Sequence, residues 1–256
     1  MIDQIDIKDI ISIAKDAGNV IMKVYHQDFK VGYKQDNSPL TLADKNANDV
    51  IENGLDKLSV SFPILSEEGK KISFEERKDW EYFWLIDPLD GTKEFVSKNG
   101  EFTVNIALIC KDTPVLGVVY APVLDTCYWA QKDKGAFKDG QKLPLKNEDH
   151  PSTYKIVVSR SHMSDKTQNF IDAINTSKEK ELIEMGSSLK ICLVAEGRAH
   201  IYPRLGPTME WDTGAAHSII IESGKNLQSY KDGKYSKHVY NKKNLLNEWF
   251  VVGEKL

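Results

Sequence analysis

Five apolar or aromatic residues, Tyr82-Phe83-Trp84-Leu85-Ile86, run without interruption into Asp87-Pro88-Leu89-Asp90-Gly91-Thr92. The run is short and rich in strand formers, so it predicts a buried strand, and its end delivers two carboxylates three residues apart. Unpaired carboxylates are costly in a protein interior. A hard divalent cation is their simplest partner, because Mg²⁺ takes oxygen ligands in near-octahedral geometry. Pro88 predicts a turn, Gly91 a close backbone approach, and Asp90-Gly91-Thr92 the first turn of a helix whose free N–H groups suit a phosphate. An ordinary turn with a capping Asp is the alternative reading of the same residues.

Two further acidic element ends favour the metal. Pro63-Ile64-Leu65-Ser66-Glu67-Glu68-Gly69 puts two acids after a short apolar segment, and Glu210-Trp211-Asp212-Thr213-Gly214-Ala215-Ala216-His217 puts Asp212 at the start of a small-residue helix. Three such ends are what a site for two or three cations needs, each ion keeping water and taking a substrate phosphate oxygen.

Composition bounds the rest. The 256 residues are 41% hydrophobic with a net charge of −4, enough for one large domain or two tightly joined halves. Without a basic excess, polynucleotide binding is excluded as a class, whereas a nucleotide-sized substrate is compatible because cations neutralise its phosphates. Cys110 and Cys192 sit in apolar runs and predict buried thiols; Cys127 falls in a strand, and no spacing suggests zinc. An odd cysteine count fits a reducing compartment, hence the cytoplasm. Asp3, Asp6 and Asp9 are unlike a secretory signal, and no apolar run reaches membrane-spanning length.

Apolar periodicity predicts helices over about 6–26, 41–58 (started by Thr41), 165–175, 188–196 and 211–223. Strands are predicted near 64–66, 82–87, 103–110, 115–121, 127–131, 136–138, 156–159, 181–185, 199–203 and 249–252. Helices and strands mix throughout, which argues for α/β layers. The polar stretch Gln141–Ser152 is the predicted internal boundary, giving an N-terminal half, 1–150, with most acidic ligands and a C-terminal half, 151–256. The five tryptophans form no spaced stacking platform, and the lysines of 231–243 read as a solvated face.

The segments S-E-E at 66–68, D-P-L-D-G-T at 87–92 and W-D-T-G-A-A at 211–216 together resemble the inositol monophosphatase superfamily of Mg²⁺-dependent, lithium-sensitive phosphatases. The resemblance covers nearly the whole chain. D-P-L-D-G-T-K-E-F at 87–95, N-G-E-F-T-V-N-I-A-L at 99–108 and G-S-S-L-K at 186–190 are similar to its bacterial 3'(2'),5'-bisphosphate nucleotidases. That implies a layered α/β fold of the sugar-phosphatase type, an αβαβα sandwich. It also implies removal of the 3'-phosphate of adenosine 3',5'-bisphosphate, with 3'-phosphoadenosine 5'-phosphosulfate as a second substrate, and, from some relatives, peripheral association with the inner membrane face.

The same resemblance assigns roles. Glu67, Asp87 and the Leu89 carbonyl hold one Mg²⁺; Asp87, Asp90 and Asp212 hold a second; Gly91 and Thr92 meet the cleaved phosphate. Glu67 is chosen over Glu68 as the ligand. Thr92 orients the attacking water, and because a hydroxyl is a weak base alone, Asp44 of Thr41-Leu42-Ala43-Asp44 shares the proton. Asp44 also fits the third helical position of a capping box with Thr41. Lys190 and Arg204, cations where inositol phosphatases tend to carry other residues, suit a second phosphate. Ser187 and His162 are further substrate contacts, with Arg160 a weaker one. The alternatives are an inositol or fructose phosphatase and, in another class, an inactive nucleotide-sensing protein.

Overall fold

A computed structural model describes residues 2–26, 32–33, 39–40, 42–145, 152–160 and 163–254. Thr41, His162 and the middle of the expected boundary lie outside the described residues.

Helix α1 (Ile7–Tyr25) starts at Asp6, whose side chain accepts the Lys8 N–H, and buries Ile10, Ile13, Ala14, Ala17, Ile21 and Val24 at helical spacing. A two-strand ribbon, β1 (Gly32–Tyr33) and β2 (Pro39–Leu40), precedes α2 (Leu42–Leu55), which turns Ala43, Ala47 and Ile51 into the same apolar cluster as α1. Strand β3 (Ile64–Ser66) and helix α3 (Phe74–Arg77) lead into β4 (Tyr82–Asp90), helix α4 (Thr92–Val96), β5 (Thr103–Cys110), β6 (Thr113–Ala121), β7 (Thr126–Gln131), β8 (Gly135–Lys138) and β9 (Gln141–Lys142). Strands β3 to β9 form one sheet in chain order, parallel at β3/β4 and antiparallel thereafter. The strand period of two divides its side chains: Trp84, Ile86, Val104, Ile106 and Leu108 pack towards α1 and α2, while Phe83, Leu85, Ala107 and Ile109 pack the other way.

The C-terminal half adds β10 (Thr153–Ser159), α5 (Asp165–Ala173), β11 (Glu179–Met185), α6 (Leu189–Ala195), β12 (Tyr202–Arg204), α7 (Glu210–Glu222), β13 (Asn226–Lys231), β14 (Lys234–Lys237) and β15 (Phe250–Gly253). Strands β10 and β11 pair in parallel, and β12, β15, β13 and β14 follow one another antiparallel. The Val157 N–H donates to the Ile201 carbonyl at 2.8 Å and the His200 N–H to Lys155 at 2.9 Å, which joins the two groups edge to edge. Helices α6 and α7 contribute to the core between the two sheets. Ile171 of α5 covers the outer face of the second sheet with Ile156, Val158 and Val251. The layers are therefore helix, sheet, helix, sheet, helix, as expected. The central helix lies close: a Cβ on Gly117 of β6 would stand 2.2 Å from the Ala215 carbonyl oxygen of α7. No described helix is long and apolar enough to cross a membrane.

Several expectations are corrected. Pro88 makes no turn; β4 continues to Asp90, with its register against β5 shifted between Asp87 and Asp90. A proline is tolerated at such an irregularity because the ladder does not need its missing N–H. Asp90 is accordingly the last residue of the strand, not part of the helix: Gly91, at φ 95°, reverses the chain and α4 begins at Thr92. The strand expected over 199–203 is β12, three residues long, with Ile201 contributing only an isolated bridge. Cys110 is half-buried rather than buried, whereas Cys127 and Cys192 are buried.

Candidate active site

Glu67 directly follows β3, Asp87 and Asp90 end β4, and Asp212 lies in the first turn of α7. One carboxylate oxygen from each of Glu67, Asp87 and Asp212 lies within 4.8 Å of the others. The backbone dictates the convergence. Parallel pairing sets Ser66 beside Ile86, so the residues leaving β3 and β4 emerge at one sheet end, and the close approach of α7 brings its N-terminus over that end. Asp87 is nearly inaccessible and accepts the Leu89 N–H on Oδ1 at 3.1 Å, which bends the strand locally. Asp212 Oδ2 accepts the Met209 N–H at 2.9 Å, the third-position half of a capping box.

The electrostatics match a cation site. Burial holds the Asp87 carboxyl well above the usual carboxylate range, and Glu67, Asp90, Asp212 and Asp44 push it further. Burial raises Asp212 likewise, with Asp90 and Glu67 adding to it against the Met209 N–H. Asp90 is raised by burial, opposed by Lys190 and Ser188. Clustered carboxylates that resist ionisation in the protein alone fit a hard divalent cation, whose charge reverses each of these penalties.

This predicts a pH-dependent stabilisation. Raised carboxyl pKa values favour the metal-free fold below the ordinary Asp value of 3.8, and that contribution is lost as pH rises through the raised values. Mg²⁺ replaces it, so the cation should raise Tm more at pH 8 than at pH 5.5. At ~100 times Kd the gain is ~2.7 kcal/mol, about 5–10 °C for a chain of this size. Calorimetric melts with and without Mg²⁺ at both pH values check this; an equal or absent shift would remove the cluster from the metal site.

A cleft of about 520 Å³ opens beside the cluster. Glu67, Asp90, Gly91, Thr92, Ser187, Lys190, Arg204 and Asp212 line it, so it gathers most of the residues singled out from the sequence. Asp44, on the first turn of α2, is buried and its charge reaches Asp87, but it does not line the cleft. Leu89 is buried with its side chain in the α1–α2 core. Ser187 adopts φ 45°, a left-handed conformation that non-glycine residues rarely hold and that is common at functional sites. Burial pushes the Lys190 ammonium down to about 8, with Arg204 pushing the same way and Asp90 opposing. The nearly buried Arg204 donates through Nη2 to the Pro207 carbonyl at 2.9 Å, and its Nε has no partner among the described residues. Arg160 is spent elsewhere, forking onto Glu101 at 2.8 and 3.1 Å and reaching Glu184 at 3.1 Å.

Sequence reasoning missed the support around Asp90. Ser188 Oγ stands 2.9 Å from Asp90 Oδ2 and 2.8 Å from the Asp212 carbonyl, and it accepts from Asn105 Nδ2 at 2.9 Å. One hydroxyl thus bridges the strand-end carboxylate and the helix that carries Asp212. The signal was present: Asn105 interrupts the apolar run of β5 yet is fully buried, and a lone polar residue in a core strand has a partner to meet.

A model of the Inositol monophosphatase family matches residues 3–251. The chain belongs to that family. Its enzymes generally depend on Mg²⁺. Over 229 residues, 88% of this chain and 91% of the relative, it is 44% identical to the 3'(2'),5'-bisphosphate nucleotidase CysQ of Salmonella typhimurium. Over 249 residues, 95% and 91% respectively, it is 42% identical to the protein of that name from Buchnera aphidicola. The crystal structure of CysQ from Bacteroides thetaiotaomicron, a bacterial member of the family, matches at a TM-score of 0.86 and 42% identity, covering 97% of each chain.

Proposed function

We propose that this chain is a Mg²⁺-dependent 3'(2'),5'-bisphosphate nucleotidase that converts adenosine 3',5'-bisphosphate to AMP and phosphate. The observation that carries the proposal is the pairing, in one cleft, of an acidic cluster with two cations, Lys190 and Arg204. Relatives alike over nearly their full lengths carry the name of that activity. A second phosphate adds an anionic partner for Lys190 and Arg204 and an acceptor for the Arg204 guanidinium, which a neutral polyol does not. 3'-Phosphoadenosine 5'-phosphosulfate carries the same 3'-phosphate beside an anionic 5' group and is the proposed second substrate.

Two or three Mg²⁺ ions are the proposed complement. Glu67, Asp87 and the Leu89 carbonyl would hold one, and Asp87, Asp90 and Asp212 a second. The chemistry supplied there would be neutralisation of phosphate charge and activation of water. The residues of the chain do the rest. Gly91 and Thr92 position the 3'-phosphate at the turn into α4. Thr92 Oγ1 orients the attacking water, and the proton released passes through that hydroxyl to the Asp44 carboxylate. The new P–O bond forms as the P–O3' bond breaks; the leaving 3' oxygen takes a proton from solvent water, and Asp44 returns its proton to solvent. Ser187 and His162 are proposed contacts to the nucleoside, and Lys190 and Arg204 to the phosphate that stays. Residues 1–150 thus supply most of the chemistry, and 151–256 supply recognition together with Asp212. The three free thiols fit a cytoplasmic setting.

Selectivity gives the test. A charge-assisted phosphate contact contributes roughly 1.5–3 kcal/mol, or about 10–100-fold. Lys190→Ala should lower kcat/KM by that factor on adenosine 3',5'-bisphosphate and leave adenosine 3'-monophosphate nearly unchanged. Both substrates use the same metals and water, so an equal fall on both would assign Lys190 to the cleaved phosphate or the fold.

A further inference from the structure

The first turn of α7 carries Asp212, and its neighbours Met209, Glu210 and Thr213 are tied to one irregular strap, residues 240–247. The Glu210 N–H donates to the Leu245 carbonyl at 3.0 Å. The fully buried Glu210 carboxylate accepts the Asn241 N–H at 2.7 Å, the Lys242 N–H at 3.0 Å and Lys242 Nζ at 2.6 Å. Asn247 Nδ2 donates to the Met209 carbonyl at 2.7 Å and to Thr213 Oγ1 at 3.2 Å, and the Tyr240 hydroxyl donates to Thr213 Oγ1 at 3.1 Å. Positions 209, 210 and 213 are therefore all clamped, and Asp212 sits between them.

The strap has a second attachment. Arg77, at the end of α3, is 2% exposed, so its charge is held by specific partners rather than by water. Its Nη1 donates to Asn241 Oδ1 and its Nη2 to the Lys242 carbonyl, both at 2.6 Å, and its own carbonyl accepts from Asn241 Nδ2 at 2.8 Å. Helix α3 lies on the connection that starts at Glu67. A continuous polar chain, Arg77–Asn241–Lys242–Glu210, thus links the segment carrying Glu67 to the turn carrying Asp212. None of these four residues lines the cleft.

We propose that this chain is a positioning device that sets the separation of Glu67 and Asp212 across Asp87, and so sets the affinity of the acidic cluster for a divalent cation. Four buried or half-buried charged and polar groups are an expensive way to hold a surface strap by itself. Their cost has a reason if they fix two carboxylates that repel each other and would otherwise drift apart. The inference rests on the proposed metal-binding role of the cluster.

Asn241 allows a clean test. Its φ is 60°, so Asn241→Gly keeps the backbone comfortable and removes only the two side-chain links to Arg77. Asn241→Asp keeps the acceptor for Arg77. Titration calorimetry with Mg²⁺ alone, without substrate, is the readout, paired with Tm of the metal-free protein and activity against Mg²⁺ concentration. Partners that orient metal ligands typically control affinity by 10–100-fold, and this one acts a step further out, so Asn241→Gly should weaken Mg²⁺ binding about 5–20-fold. Half-saturating Mg²⁺ should rise in parallel, kcat at saturating Mg²⁺ should stay within about 2-fold, and Asn241→Asp should recover most of the affinity. Unchanged Mg²⁺ affinity, with or without a lower metal-free Tm, would overturn the proposal and leave the strap a structural brace. Absence of Mg²⁺ binding by the unaltered protein would instead overturn the metal-dependent reading itself.

Discussion

Asp90→Asn should lower turnover by at least ~100-fold at saturating Mg²⁺, the scale of losing a main electrostatic group from a catalytic site. The substitution preserves size and keeps an oxygen for Ser188 Oγ and Asn105 Nδ2, the two groups within hydrogen-bond reach of Asp90 Oδ2. It removes only the charge. Asp90 raises the carboxyls of Asp87 and Asp212 and is itself raised by burial and by Glu94, against Lys190 and Ser188, so with this repulsion removed the metal-free variant should be at least as stable as the unaltered protein. Activity and stability are therefore expected to move in opposite directions, which general damage does not produce. Phosphate-release assays and metal-free melts on one preparation check this; near-normal turnover would remove Asp90 from the metal site.

The second large effect belongs to Thr92 and Asp44. General-base assistance is worth about 10²–10⁴-fold, so Thr92→Ala and Asp44→Asn should each cost at least ~100-fold. If the two move one proton together, the double variant should be little worse than either single one. Asp44 sits on the first turn of α2, buried, with its charge felt at Asp87 on the neighbouring strand. Fully additive losses across the cycle would return Asp44 to the role of a helix-start residue.

The sequence exposed those parts of the molecule whose physics is local. Strand β4 was readable because both its faces are buried, leaving a continuous apolar run that ends at the carboxylates. Helix α1 was readable from its apolar stripe. The strap's anchor α3 was not: four residues, Phe74–Arg77, make a single turn, and Arg77 looks like any surface arginine until the strap closes over it. Strand β14 was hidden for the opposite reason, since Lys234–Lys237 is exposed throughout and carries no apolar period. Pro88 misled because proline usually punctuates a strand, and only the shifted β4–β5 register makes it admissible inside one. At the site, the acids were found individually by their motifs, while the Ser188–Asn105 bridge depends on residues 83 positions apart and is visible only once β5 and α6 are packed.

The most direct measurement is product analysis of adenosine 3',5'-bisphosphate incubated with the purified protein, beside an inositol monophosphate at equal concentration. The expected products are 5'-AMP and one inorganic phosphate, formed only with Mg²⁺, at a kcat/KM at least ~100-fold above that for the inositol phosphate, the discrimination two charge-assisted phosphate contacts provide. Equal or faster release from the inositol phosphate, accumulation of adenosine 3'-monophosphate, or no Mg²⁺-dependent release from the bisphosphate would contradict it.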